Sequence, residues 1–263
     1  MMNSVFEVRG KVFAGGTHVM GILNVTPDSF FPLSRVGDDV AERALEMVRD
    51  GAEILDIGGQ STRPGHKEVG ALEELSRVIP AVRAVRAVTD APISVDTYLP
   101  EVAEAALEAG ADMINDVSCL RNPALARIAA RYGAALCIMH DRRQSAERDL
   151  MNDKLTGLVA AADTAVRAGV SERAILLDGG IGFNKSADED RQLLANYAQL
   201  KLAGYPLLLG TSRKSFFGGE VSGRLSATLE TTAQAVRDGI LFVRVHDVAE
   251  NKSVIDALSG ENK

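Results

Sequence analysis

The feature that most constrains this chain is a short apolar run followed by a longer amphipathic stretch, repeated eight times. The runs are His18–Asn24, Glu53–Gly59, Pro92–Thr97, Met113–Ser118, Ala135–His140, Ala174–Gly180, Pro206–Ser212 and Leu241–Asp247. Each is rich in Ile, Leu, Val or Met and too short to stand alone as a helix, so each reads as a strand. The stretches between them space apolar residues three and four apart, as in Val40, Ala44, Met47 and Val48, or Leu72, Leu75, Ile79 and Val82. That spacing gives a helix one buried face.

Strand-then-helix units imply a parallel sheet, and strands apolar on both faces imply a sheet covered on both sides. Eight such units in 263 residues close a barrel more naturally than they build an open sheet. No G-x-G-x-x-G follows the first run, so the dinucleotide-binding open sheet lacks its phosphate loop. The expected fold is therefore α/β, a (β/α)8 TIM barrel, with residues 1–263 as one domain. Val5–Phe13, with Arg9-Gly10-Lys11 at its centre, reads as a β-hairpin ahead of the first barrel strand, placed to plug the bottom of the barrel.

Composition narrows the partners. Hydrophobic residues at 46% and charged residues at 25% are ordinary for a globular chain. A net charge of -7 argues against a general nucleic-acid binder, yet a local Arg/Lys/His cluster can still hold an anionic small molecule. No run of apolar residues is long enough to span a bilayer, so no membrane partner is expected. The first residues lack a basic segment followed by an apolar one, which leaves a cytoplasmic address as the expectation. Cys119 and Cys137 have no C-x-x-C spacing and lie in apolar surroundings, so they read as small buried side chains.

In a barrel of this type chemistry is done where the strands end. The strand ends here are Asn24, Gly58-Gly59-Gln60-Ser61-Thr62-Arg63-Pro64-Gly65, Asp96-Thr97, Asn115-Asp116, His140, Asp178-Gly179-Gly180, Ser212-Arg213-Lys214-Ser215 and Arg244-Val245-His246-Asp247. The turns that enter the strands, such as Asp50-Gly51-Ala52, are plain. Asp96, Asn115, Asp178 and Lys214 mix acceptors and donors as a flat, nitrogen-rich heterocycle would require, and a carboxylate such as Asp178 can take two N–H bonds from a guanidine-like edge. Asn24, Thr62, Arg63, Arg244 and His246 suit phosphoryl oxygens, and the first and eighth strands are neighbours in a closed barrel. Single residues have plainer readings: Asp56, Asp116 and Asp247 as helix caps, and His18 and His66 as turn or surface residues. Helix capping alone does not account for mixed donors and acceptors at the end of nearly every strand.

These segments resemble the dihydropteroate synthase family. Gly21–Phe30 is similar to its opening signature, and Gly58–Gly65 to its second, with Gln60 where Glu is usual. Ser94–Thr97, Ile114–Ser118, Ser212–Phe216 and Arg244–Asp247 match further blocks in the same order. The resemblance implies a homodimeric TIM-barrel transferase that joins (7,8-dihydropterin-6-yl)methyl diphosphate to 4-aminobenzoate and releases pyrophosphate. It further implies pterin contacts at Asp96, Asn115, Asp178, Phe183 and Lys214, and diphosphate contacts at Asn24, Thr62, Arg63, Arg244 and His246. Mg2+ would sit at Asn24, aminobenzoate would be framed by Phe30, Arg63, Pro64, Lys214 and Ser215, and Asp96, Lys214 and Arg244 would carry the catalysis.

The chain departs from the pattern at Phe31-Pro32-Leu33-Ser34-Arg35, at Asp141-Arg142-Arg143-Gln144, at Gly179 where Pro is common, and at Asn184 where Gly often sits. Two alternatives stand beside the synthase. A pterin-binding methyltransferase barrel would have no use for Arg63, Arg244 and His246, and a weakly active or non-enzymatic pterin-binding homologue would fit the altered first loop.

Overall fold

The computed structural model describes residues 5–26, 36–60, 69–141, 149–220 and 223–260. The chain opens with a hairpin, β1 (Phe6–Val8) against β2 (Lys11–Phe13), in antiparallel register Phe6↔Phe13 and Val8↔Lys11. Its two turn residues, Arg9 and Gly10, both have positive φ (50° and 69°), as a two-residue turn between twisted strands requires.

Among the described residues, eight strands then close into one parallel barrel in the order β10-β3-β4-β5-β6-β7-β8-β9. They are β3 (His18–Asn24), β4 (Ile54–Gly58), β5 (Ile93–Asp96), β6 (Met113–Asp116), β7 (Ala135–Met139), β8 (Ile175–Asp178), β9 (Leu207–Leu209) and β10 (Phe242–Val245). Every expected apolar run contains one of them. The helices between are α1 (Val36–Arg49), α2 (Ala71–Val88), α3 (Pro100–Glu108), α4 (Ala124–Tyr132), α5 (Leu150–Arg167), α6 (Ala187–Ala195), α7 (Arg224–Asp238) and α8 (Val248–Gly260).

The period of two along each strand sorts side chains into two cores. Val19, Leu55, Ile57, Val95, Ile114, Ile138 and Val243 point outward and pack with the helices. Met20, Ile54, Met113, Cys137, Leu176, Leu208 and Phe242 point inward and pack with Phe6, Val8 and Phe13 of the hairpin. Phe6 and Phe13 meet the Phe242 ring edge-on, with centroids 5.7 Å and 5.1 Å away. The hairpin is a plug, as its sequence suggested, and each buried phenylalanine contributes about 1.5–3 kcal/mol. His18 corrects the surface reading: its ring lies 5.1 Å from Phe13, and Nδ1 is 2.9 Å from a Glu53 oxygen.

Two residues farther along the same inward faces, the chemistry changes. Ile54 is followed by Asp56, Met113 by Asn115, Leu176 by Asp178, and Phe242 by Arg244. The strand register sets Asp56 beside Ser94 and, two residues on along β5, Asp96 beside Asn115, so polar side chains run up the inward faces of β4, β5 and β6. This polar layer sits at the C-terminal ends of the strands, directly above the apolar plug.

Candidate active site

Arg244 is the hub of the polar layer. Its Nε donates to Asp56 Oδ2 at 2.6 Å and its Nη2 to Asp96 Oδ2 at 2.7 Å, while Asn115 Nδ2 donates to the same Asp56 oxygen at 3.1 Å. Burial works against the Arg244 charge, but Asp56 and Asp96 outweigh it and push its pKa up, so the guanidinium keeps its proton. Asp96 behaves differently. Burial, reinforced by the Asp56 charge and opposed by Arg244, lifts its carboxyl to about 7. Arg244 divides its attraction between two acids and so does not offset the cost of burying the Asp96 charge. Asp56 Oδ1 is buried without a hydrogen-bond partner among the described residues.

Asn24 belongs to the same neighbourhood. A methyl placed on Gly58 would lie 3.4 Å from Asn24 Oδ1 and 3.8 Å from Asp96 Cβ, so the glycine lets the two side chains approach across β4. On the opposite side, Asp178 Oδ1 accepts from Gly180 N at 2.7 Å and from the Tyr197 hydroxyl at 3.0 Å. Its Oδ2 lies beside Gly210, 3.5 Å from where a side chain there would begin. Lys214 lies over the Phe183 ring, 4.3 Å from its centroid, and donates to Ile181 O. Its aliphatic chain fills the space above Gly182, where a methyl would come within 2.6 Å of Lys214 Cδ. Burial, then the nearby Arg244 and Lys185 charges, lowers Lys214 to about 8, with Asp178 opposing.

Lys185 holds this loop from below by donating to Gly180 O and, at 2.6 Å, to Phe183 O. Asn184 adopts φ 50°, a left-handed conformation that Asn tolerates and Gly accepts freely, which accounts for the exchange at this position. His246 stands at the β9–β10 junction, its Nδ1 2.9 Å from Ser212 Oγ, and Ser215 is exposed beside Lys214 at the start of a short 3-10 turn, Ser215–Phe217. Arg213 pairs with Asp247 through Nε at 2.9 Å.

Asn24, Asp96, Asn115, Asp178, Phe183, Lys214 and Arg244 are thus drawn to one end of the barrel. Phe30, Thr62, Arg63, Pro64 and His66 lie outside the described residues, as do residues 31–35 and Arg142-Arg143-Gln144. Asp56 was misread as a cap. It is fully buried, two residues before the strand ends, and its inward period was the signal that places it beneath Arg244. Asp116 caps a loop rather than a helix, accepting from Ser118 N at 2.9 Å and from Leu120 N at 2.5 Å. This steadies Cys119 and Leu120, both at positive φ. His140 is buried against Lys154, Nδ1 to Nζ 2.7 Å, and burial with that cation lowers it to about 4, so it remains neutral. The Cys119 thiol is raised to about 11, mainly by burial, which makes it unreactive.

The fold and the polar end of the barrel place the chain in a class before they place it in a family: residues 20–246 match the family described as pterin binding enzymes. A dihydropteroate synthase from Clostridium beijerinckii is 44% identical over 243 residues, covering 89% of this chain and 90% of the relative. The solved structure of Xanthomonas albilineans dihydropteroate synthase with 4-aminobenzoic acid superposes with a TM-score of 0.92 at 36% identity, over 99% of both chains. A Clostridium difficile dihydropteroate synthase, solved in the presence of pteroic acid, gives 0.89 at 41% identity over 95% of this chain and 98% of that one. The chain belongs to this family of pterin binding enzymes, among the dihydropteroate synthases.

Proposed function

We propose that the chain condenses (7,8-dihydropterin-6-yl)methyl diphosphate with 4-aminobenzoate to give 7,8-dihydropteroate and pyrophosphate. The observation that carries this reading is the Arg244 guanidinium, 2.6 Å and 2.7 Å from two buried acids at the strand end that also holds Asn115, Asp178 and Lys214. A ring with N–H donors and an anionic leaving group are both answered there.

In this reading Asp178, Asp96 and Asn115 take and give the ring's hydrogen bonds, Lys214 donates to it, and Phe183 lines its face. Arg244, His246, Asn24, Thr62 and Arg63 hold the diphosphate; Phe30, Arg63, Pro64, Lys214 and Ser215 frame the aminobenzoate. As the C–O bond to the diphosphate breaks, Arg244 meets the charge developing on the leaving oxygens, and ionised Asp96 stabilises positive character spread from the methylene into the ring. The neutral arylamine forms the C–N bond and releases its proton to solvent. Positioning and charge stabilisation supply the rate, so no nucleophile–base pair is needed.

Among the described residues no group of three or more His, Cys, Asp and Glu side chains is arranged to hold a metal ion. The residues present that would fit Mg2+ begin with Asn24, whose Oδ1, a hard oxygen donor, lies beside Gly58 near Asp96; it would be the protein ligand, with diphosphate oxygens and water filling the remaining positions. When bound, Mg2+ would neutralise charge on the leaving diphosphate. A homodimer in the cytoplasm goes with this reading through the family resemblance, and no described helix is long and apolar enough to cross a membrane.

The test is pyrophosphate release with pterin diphosphate, 4-aminobenzoate and Mg2+, in the wild type and in Lys214→Ala and Arg244→Ala. Turnover lost in both variants supports the assignment. Pterin binding without turnover in the wild type would replace it with the non-enzymatic reading.

A further inference from the structure

Tyr197 opens the 3-10 helix Tyr197–Ala203, is 1% exposed, and reaches the site from behind β8. A phenol has one proton to give and two lone pairs to receive. Gly179 N donates to the hydroxyl at 2.8 Å, and the hydroxyl in turn lies 2.5 Å from Leu208 O and 3.0 Å from Asp178 Oδ1. The single proton is shared between Leu208 O and Asp178 Oδ1 as a three-centre bond, and packing alone would require only the Leu208 arm. The contact with Asp178 is the additional one, and it falls on a carboxylate at the C-terminal end of β8, in the polar layer of the barrel.

We infer that Tyr197 is a positioning residue for the pterin site, fixing the Asp178 carboxylate so that Oδ2 is the oxygen presented to the substrate ring. This inference rests on the reading that Asp178 holds the pterin. Oδ1 is engaged by the Gly180 amide at 2.7 Å and by the phenol, which stops rotation of the carboxylate about its last torsion. Oδ2 is the oxygen beside Gly210, where the absence of a side chain opens its approach. Position 179 is fitted to the same device. Proline there would have no N–H to give, and even a methyl would come within 2.8 Å of Tyr197 Cε2 and Leu200 Cδ1. Gly179 and Tyr197 therefore work as a pair. Burial, then the Asp178 charge, pushes the phenol pKa well above its ordinary value, so the group stays a proton donor throughout the neutral range.

The test is calorimetric titration of 6-hydroxymethylpterin into the wild type, Tyr197→Phe and Gly179→Ala, with Michaelis constants for both substrates and a melting temperature for each protein. Losing the hydroxyl should weaken pterin binding about tenfold and leave the Michaelis constant for 4-aminobenzoate unchanged. Gly179→Ala keeps the hydroxyl but displaces the ring, should weaken pterin binding in the same direction, and decides the question if Tyr197→Phe does not fold. Wild-type affinity in the folded variants, or an equal rise in both Michaelis constants, overturns the inference. A wild type that fails to bind the pterin overturns the proposed function itself, a separate outcome from a wild type that binds and variants that bind equally well.

Discussion

The two ends of the barrel are built from the same strands and stabilised in opposite ways. At the N-terminal end Phe6, Phe13 and Phe242 close the interior with apolar contact, and Asp112 is fully engaged by Arg9, Arg86 and the Ile93 amide. At the C-terminal end, two residues farther along, one guanidinium is shared between Asp56 and Asp96, Asp56 Oδ1 lacks a partner among the described residues, and Asp96 and Lys214 both sit near neutrality. A chain selected only for stability would fill the second end like the first, because buried ion pairs are commonly no better than well-packed apolar groups. Both ends leave a buried polar atom without a partner among the described residues, His18 Nε2 at the plug and Asp56 Oδ1 above it, but the end where two buried acids share one cation is the one suited to a charged ligand.

That contrast breaks first at Arg244. Arg244→Ala leaves Asp56 and Asp96 buried without their cation, which should cost about 3–5 kcal/mol of stability. Turnover measured by pyrophosphate release should fall about a thousandfold. Activity within tenfold of wild type would mean that the charged end is not the catalytic end. The counterpart at the plug is Phe6→Ala, which should lower the unfolding free energy in urea by about 3–5 kcal/mol. Its kcat and KM, measured below the new melting temperature, should match the wild type, since the hairpin touches only the lower layer; a fall in kcat with the fold intact would show that the two ends are coupled.

Much of this division was legible in the sequence. The eight strands stood out because each apolar run is bounded by turn residues and followed by helical spacing, and Val5–Phe13 because a Gly-containing turn separates two short apolar segments. Asp96, Asn115 and Asp178 could be picked out because a polar side chain ending an apolar strand demands a partner or a ligand. Asp56 escaped because strand-end acids are so often caps, although its inward register ruled that out. Tyr197 and Lys185 could not have been found by pattern. Tyr197 lies 19 residues beyond the aspartate it contacts and resembles any core aromatic, and Lys185 acts on two backbone carbonyls that leave no mark in a sequence.

The charged end can be sharpened by titration. Asp96, lifted to about 7, gains its charge as pH rises through that value; Lys214, lowered to about 8, loses its charge as pH rises through that one. If pterin capture needs the carboxylate and the ammonium together, kcat/KM for the pterin diphosphate should be bell-shaped, falling about tenfold per pH unit on each outer limb. Lys214→Arg should remove the alkaline limb, because a guanidinium stays charged. An unmoved limb in that variant would assign it to another group.

The smallest effect should come from Arg9→Ala at the plugged end. Arg9 is 35% exposed, and one of its partners, Asp90, is 98% exposed, so solvent screens most of that attraction. Its other partner, Asp112, keeps Arg86 and the Ile93 amide when Arg9 is removed, so no buried charge is stranded. Exposed pairs of this kind contribute about 0.2–1 kcal/mol, and the urea midpoint should shift accordingly while pterin affinity stays fixed. Arg86→Ala should cost more, because Arg86 also donates to Gly110 O at 3.1 Å and to Thr89 O and Ala91 O at 3.0 Å. If Arg9→Ala instead cost as much as Phe6→Ala, the hairpin would be docked by charge rather than by its phenylalanines, and the two ends of the barrel would not differ in kind.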